Sequence, residues 1–414
     1  MSTFHIVYKK LFNLGNFSRA LFLIPKPLVL WLSIKFDTDA GLAIAQIYLI
    51  GILFISLSGT NAHRVFYQIY FGTNERTENK YAAKTYFRYI EKITLQLIFI
   101  IFTLVLVISV IFWDSFDLVI FGIAFGIAEK LNDEYNRFIQ FENNNKKLFN
   151  LSLSKLAPAL LAVFLSYAVS VDLKYTFPIL SLFLSIFINW SQIYFAICHL
   201  IKSVRKSFFG ILKLSLKKII EDITQISCIF IAITLINIEK WLLKFFSAED
   251  LPIYMFYNQF ASVLIIVQMI ILNAPARVQF INKNPWEIRS IKIVSPIISL
   301  ISLLMGIALY FYNILEDRSN IGYFAFFFAA IIILESTYSE CLYWRTTARV
   351  RLSLDLVIFF ITILYFVVLK KIWPLSNFIV LSFAGLFCIM CLRFLLIIYL
   401  LNRIKVRKSS LPLL

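Results

Sequence analysis

Ionisable side chains inside long apolar runs are the residues of this chain that could do chemistry. Arg19 and Lys26 are seven positions apart, with Asn16 nearby. On a helix they stack along one face, about 10 Å apart along the axis. Lys26 lies between Pro25 and Pro27, which kink or open a helix and free backbone carbonyls. Two cations on one stripe of a broken helix suit a water-filled cavity that accepts an anion. The alternative is that Arg19 reaches a membrane surface with its aliphatic stem in lipid. Ser56, Thr60 and Arg64 follow at i, i+4, i+8, a polar ridge that ends in a cation. Glu129, Lys130, Asp133, Glu134, Arg137 and Gln140 crowd one later segment. Their helical spacing reads as a charged helix extending beyond the membrane, or as a vestibule for a charged headgroup. Arg277 follows Pro275 late in another apolar run. Glu335, with Ser336, Ser339 and Glu340 close behind, is the deepest carboxylate. Its ionised form is costly in lipid unless it pairs with a cation, for which Arg393 is the candidate, or binds a coupling proton or sodium ion.

The elements that must hold these residues follow from composition. Of 414 residues 60% are hydrophobic and 15% charged, and mean hydropathy is +0.83. Soluble domains run nearer half apolar and a quarter charged, so the sequence predicts an all-α polytopic membrane protein. Only helices satisfy their backbone groups within one segment in lipid, and the ten-residue alternating segments of a β-barrel are missing. Apolar runs place twelve spans near 11–34, 41–66, 93–113, 117–139, 151–171, 176–200, 220–245, 253–278, 291–312, 321–343, 353–370 and 374–401. With both termini in the cytoplasm, the outer face holds only Lys35, Lys174, Lys240, Lys244, Arg318, Lys370 and Lys371. Every other lysine and arginine is cytoplasmic except Arg19, Lys26 and Arg393, which lie within spans. That asymmetry is the positive-inside pattern. The net charge of +17 is therefore topology rather than a nucleic-acid surface. Six of the tryptophans fall near span ends as an aromatic belt, and only Trp190 is deep.

The longest polar break, 202–219, spaces Phe208, Ile211, Leu212 and Leu216 at helical intervals among lysines. It reads as a basic amphipathic helix on the inner leaflet, linking an N-terminal six-helix lobe (1–201) to a C-terminal one (220–414). No start-of-chain pattern of an apolar core followed by a cleavage site is visible in MSTFHIVYKKLFNL. The five cysteines lie in or beside spans. Cys388 and Cys391 have CxxC spacing but no second pair, so neither a disulfide framework nor a metal site is expected. His5, His63 and His199 are scattered, no nucleophile–base set is apparent, and no phosphate-binding GxxxxGK[ST] loop is present. Outer loops shorter than about ten residues leave little room for a polymerase or ligase working on that face. The expectation is a transporter without a cofactor, not an enzyme.

Two stretches resemble a known family. DTDAGLAIAQIYLIGILFISLSGTNAHRVFYQ (37–68) is similar to the first loop and second helix of the polysaccharide flippases. There an outer Gly-containing loop leads into a helix with a late small residue and then an Arg, here Gly41, Gly59 and Arg64. IEKWLLKFFSAEDLPIYMFYNQFAS (238–262) is similar to the end of that family's seventh helix and the start of its eighth. Pro275 and Arg277 fall where the family often has a late Pro in helix eight. The resemblance is to the O-antigen flippase branch of the multidrug/oligosaccharidyl-lipid/polysaccharide exporter superfamily. It implies twelve helices in two six-helix bundles around a central cavity in the bacterial inner membrane. The implied substrate is an undecaprenyl-pyrophosphate-linked oligosaccharide, moved by alternating access. A polysaccharide polymerase and a chain-length regulator are the implied partners. The expected cavity cations are then Arg19, Lys26, Arg64, Arg137 and Arg277, with Glu335 and Glu340 as ion-coupling candidates. A drug/cation antiporter on the same architecture and a membrane-embedded glycosyltransferase or polymerase are the alternatives. The first would be expected to line its N-terminal lobe with acids, whereas the first span here is cationic.

Overall fold

The computed structural model describes residues 18, 21–22, 24–36, 38–58, 116–141, 145–190, 193–194, 198, 224, 227–228, 230–282, 289–315, 321–345, 348–372 and 375–409. Among these, eleven α-helices and one 3₁₀ turn form the ordered elements, with no strand. The chain divides into two compact units, 1–226 and 227–414. Among the described residues, four helical segments are long and apolar enough to cross a membrane: Lys146–Val169, Ile293–Leu315, Arg349–Lys371 and Phe378–Arg403. Shorter apolar segments lie at Asp39–Ile55, Leu173–Ile188 and Tyr323–Ser336. The protein is all-helical and has the make-up of a multi-pass membrane protein. Span three (93–113) and the 202–219 linker lie outside the described residues.

The first unit contains α1 (Pro25–Phe36), α2 (Thr38–Ser58), α3 (Phe116–Phe141), α4 (Asn145–Val169) and α5 (Leu173–Ile188). The break expected around Lys26 takes a particular form: Pro25 opens α1 and Pro27 stays within its first turn. A proline there sacrifices no hydrogen bond, because the first amides of a helix have no intrahelical acceptor. The α2–α3 pair packs closely. A Cβ on Gly122 would meet the Ile50 side chain at 2.7 Å, and one on Gly126 would meet Phe54 at 2.8 Å. Glycines four apart let helix backbones approach where lipid supplies no hydrophobic drive for association. Glu129, seven residues beyond Gly122, continues the same stripe. Tyr48, Phe125 and Phe177 add an aromatic triangle from α2, α3 and α5, with ring centroids 5.1, 5.6 and 6.3 Å apart.

A tight helical hairpin joins α4 to α5. Ser170 takes a left-handed conformation (φ 57°) just past the end of α4, where a helix commonly terminates in this way. Two residues on, Asp172 caps α5 by accepting a hydrogen bond from the Lys174 amide at 3.1 Å. The hairpin matters for function because it holds α4 and α5 antiparallel and side by side along one wall of the first unit.

The second unit contains α6 (Ile238–Phe246), a 3₁₀ turn (Ala248–Asp250), α7 (Leu251–Asn282), α8 (Arg289–Leu315), α9 (Tyr323–Arg345), α10 (Ala348–Ile372) and α11 (Leu375–Ser409). The predicted seventh span is not one straight helix through 245, because the helix is interrupted at Asn237, which has φ −116° and ψ 9°. Small polar residues fasten α8 to its neighbours. Ser299 Oγ donates to the Ala330 carbonyl (2.9 Å) and Ser302 Oγ to that of Phe326 (2.7 Å). Gln268 of α7 donates to Ser295 Oγ (2.9 Å) and to the Ile333 carbonyl (2.6 Å). Interhelical bonds of this kind are worth about 1 kcal/mol each in a membrane; here, with Ser336 Oγ donating to Gln268 Oε1 (3.3 Å), they join α9 to both α7 and α8.

Candidate functional site

In the first unit, one carboxylate gathers two lysines from two other helices. Glu129 of α3 sits 2.6 Å from Lys26 Nζ of α1 and 2.8 Å from Lys155 Nζ of α4. Lys155 also lies 3.6 Å from the centroid of the Phe22 ring, and Lys26 lies 5.6 Å from that of Phe125. Both rings present a negative face to a cation. The Lys26 carbonyl accepts a hydrogen bond from Tyr48 of α2 (3.0 Å), which fixes the start of α1 beside α2. A narrow recess opens next to the trio, lined by Pro25, Lys26, Glu129, Asn132, Lys155, Pro158, Ser181 and Ser185 among others. It is wide enough for about one water molecule. Asn132 donates to Ser185 Oγ (2.8 Å), and the Asn189 amide donates to the Ser185 carbonyl (2.7 Å). The three lysine and glutamate side chains differ in access: 22% exposed for Lys26, 10% for Glu129 and 6% for Lys155. Asp133, one turn further along α3, lies within electrostatic reach of Lys155. Lys155 is the anchored cation and Lys26 the accessible one.

The second unit holds the opposite arrangement, one cation between two carboxylates. Arg393 of α11 is ion-paired through one guanidinium nitrogen to Glu335 of α9. It binds Asp355 of α10 through Nε (3.0 Å) and Nη2 (2.8 Å). All three side chains are at most 5% exposed. Asp355 also accepts a weak hydrogen bond from the Cys228 thiol (3.6 Å), and Arg351 stands one turn before it on α10. Glu335 Oε2 is buried without a hydrogen-bond partner among the described residues. A third buried pair joins Lys240 to Glu239 (2.8 Å), with Lys240 donating also to Asn237 Oδ1 (2.8 Å). That donation ties the break in the helix at Asn237 to the charge behind it.

Against the sequence expectations, the structure places Lys26 in the trio and sets Arg393 against Glu335. Arg137, Arg277 and Glu340 lie in α3, α7 and α9 respectively, with side chains outside the described residues, as Arg19 and Arg64 are altogether. Three further charges gain partners or cover from the fold. Glu129, expected in a charged extension of its own helix or in a vestibule, is buried and bonded across to α1 and α4. Lys155, counted with the cytoplasmic face, is 10 residues inside α4. Lys240, counted with the outer face, is 4% exposed. Asp355 was not singled out at all. Among the described residues no group of three His, Cys, Asp or Glu side chains could hold a metal ion.

These observations define a class: an all-helical, multi-pass membrane protein with buried charge clusters of opposite balance in its two units. No family model matches the sequence, and no curated protein or solved structure is significantly similar to it.

Proposed function

We propose that the protein moves an anionic, lipid-linked saccharide across the bacterial cytoplasmic membrane. The substrate in this reading is an undecaprenyl-pyrophosphate-linked oligosaccharide repeat unit, carried from the inner to the outer leaflet for O-antigen or capsular polysaccharide synthesis. The observation that carries the reading is the Lys26–Glu129–Lys155 trio, in which two lysines share one carboxylate beside a polar recess. The resemblance of segments 37–68 and 238–262 to the polysaccharide flippases supports it independently. The physical need is plain. A glycan headgroup cannot cross about 30 Å of hydrocarbon when each unpaired hydroxyl costs several kcal/mol, whereas the polyprenyl tail can stay in lipid. Cations in a protein-lined path neutralise the diphosphate, and an inside-negative potential favours its outward movement by about 2.3 kcal/mol per charge per 100 mV. Alternating access of the two units completes the cycle without nucleotide, and Glu335, a carboxylate buried at span depth, is the candidate for a coupling proton or sodium ion.

Purified protein in proteoliposomes should make a fluorescent undecaprenyl-pyrophosphate oligosaccharide accessible to a headgroup-modifying enzyme in the opposite leaflet. Cells lacking the protein should accumulate the same lipid on the cytoplasmic side. Efflux of organic cations with no movement of the lipid would assign the protein to drug/cation antiport instead. The proposed topology, with both termini and 202–219 cytoplasmic, has its own check. Single cysteines introduced near Asp172, Glu249 and Asp317 should react with a membrane-impermeant maleimide in intact cells, and one near Lys206 should not. Reaction at the Lys206 site would overturn that topology.

A further inference from the structure

We infer that Glu129 is a displaceable counter-ion: it occupies Lys26 in the resting state and yields it to the diphosphate of an incoming ligand. The inference rests on the proposed substrate class and adds how the site exchanges charge. A cation waiting in a low-dielectric protein interior for an anion would be costly if unpaired. Glu129 removes that cost, since Lys26 lies 2.6 Å from its Oε2. The cost of releasing Lys26 is kept low by the other lysine. Lys155 remains within 2.9 Å of the same oxygen and 2.8 Å of Oε1, so Glu129 is never left without a cation. Lys155 is itself held against the Phe22 ring at 3.6 Å and is almost fully enclosed, whereas the Lys26 side chain is 22% exposed. The pair is asymmetric in the sense exchange requires, one lysine fixed and one able to swing out.

The recess is too narrow for a diphosphate, so the exchange takes place at its mouth, with phosphate oxygens replacing Glu129 Oε2 on Lys26 Nζ. No covalent step is involved. One ion pair and one set of charge-assisted hydrogen bonds are exchanged for another of the same kind, which keeps binding reversible. A site of two unopposed lysines would hold the diphosphate tightly and release it slowly. The carboxylate that competes for Lys26 thus also drives release into the opposite leaflet.

The test uses the full chain in zwitterionic nanodiscs, titrated calorimetrically with inorganic pyrophosphate. Glu129→Gln removes the competing charge and should tighten pyrophosphate binding about tenfold, while slowing lipid flipping in proteoliposomes. Glu129→Asp withdraws the carboxylate by one methylene, about 1.5 Å, and should tighten binding to a lesser degree. It decides the matter if the Gln variant does not fold. Lys26→Gln should abolish pyrophosphate binding. Unchanged or weaker binding in the folded Glu129 variants would overturn the inference. Competition by undecaprenyl pyrophosphate identifies the ligand as lipid-linked, and its failure to compete assigns the exchange to a free diphosphate. The two levels fail separately. Tighter binding in Glu129→Gln with no flipping by the native protein sinks the flippase reading alone. Flipping by the native protein with unaltered affinity in both Glu129 variants sinks the counter-ion alone.

Discussion

Arg393→Gln is expected to cost the second unit about 3–5 kcal/mol and to leave little folded protein in the membrane. The reason is the imbalance of its cluster. Arg393 is the shared partner of Glu335 and Asp355, so its removal strands two carboxylates that are 4% exposed each. Breaking a buried ion pair by deleting one partner costs on this scale, because an uncompensated charge stays behind. The single carboxylate changes should be milder and unequal. Glu335→Gln leaves the two bonds from Arg393 to Asp355 in place (3.0 and 2.8 Å), so the protein should fold nearly normally. Asp355→Asn takes the charge out of both of those bonds and replaces the Oδ2 acceptor of the Cys228 thiol with an amide nitrogen, and should be the worse of the two. Fluorescence-detected size exclusion and thermal unfolding in detergent would rank them. Because a third charge is present, Glu335→Gln with Arg393→Gln should rescue only part of the loss, and Asp355→Asn added to that pair should rescue more. An Arg393→Gln protein as stable as the native one would mean that water or Arg351 neutralises the carboxylates. The same set separates structure from coupling: a folded Glu335→Gln protein that transports but no longer responds to a pH gradient would mark Glu335 as the proton carrier.

The sequence made these clusters half visible. Composition was enough for the class, since no soluble core needs 60% hydrophobic residues at 15% charge. Glu335 and Arg393 stood out because each is central in a long apolar run, where an isolated charge has no solvent to turn to. Asp355 did not stand out. The apolar run reads from 353, which sets Asp355 at a span end, but α10 begins at Ala348 and encloses it. Lys155 was hidden differently. The apolar run from 151 sets it near a span end, where it counts toward the cytoplasmic face, and α4 starts at Asn145, about 15 Å earlier along the axis. The useful signal was the absence of any Gly or Pro between Asn145 and Lys155, which lets a helix run through a polar stretch. Glu129 shows a different limit. Its spacing to neighbours on its own helix was legible, but its partners come from α1 and α4, and periodicity carries no information about which helices meet.

Lys26→Gln should reduce export of the lipid-linked saccharide at least tenfold while leaving protein level and unfolding temperature close to native. The trio makes this separation of function from folding possible. Without Lys26, Glu129 keeps Lys155 at 2.8 Å, so no buried charge is stranded, and the Tyr48 hydrogen bond goes to the backbone carbonyl of residue 26 rather than its side chain. What is lost is the cation that the recess exposes. Lys26→Arg keeps the charge and should retain most transport, with some loss because a planar guanidinium presents its donors differently from a compact ammonium. Lys155→Gln should show the reverse pattern. It removes the enclosed lysine and the Phe22 contact, leaves Glu129 to Lys26 alone, and should lower stability by more than it lowers transport per folded molecule. Export measured per folded protein, alongside unfolding temperature, gives two numbers for each variant. A Lys26→Gln protein that exports at the native rate would take Lys26 out of the transport path. The anion-accepting role of the first unit would then fall with it, since Lys155 is sealed behind the carboxylate it holds.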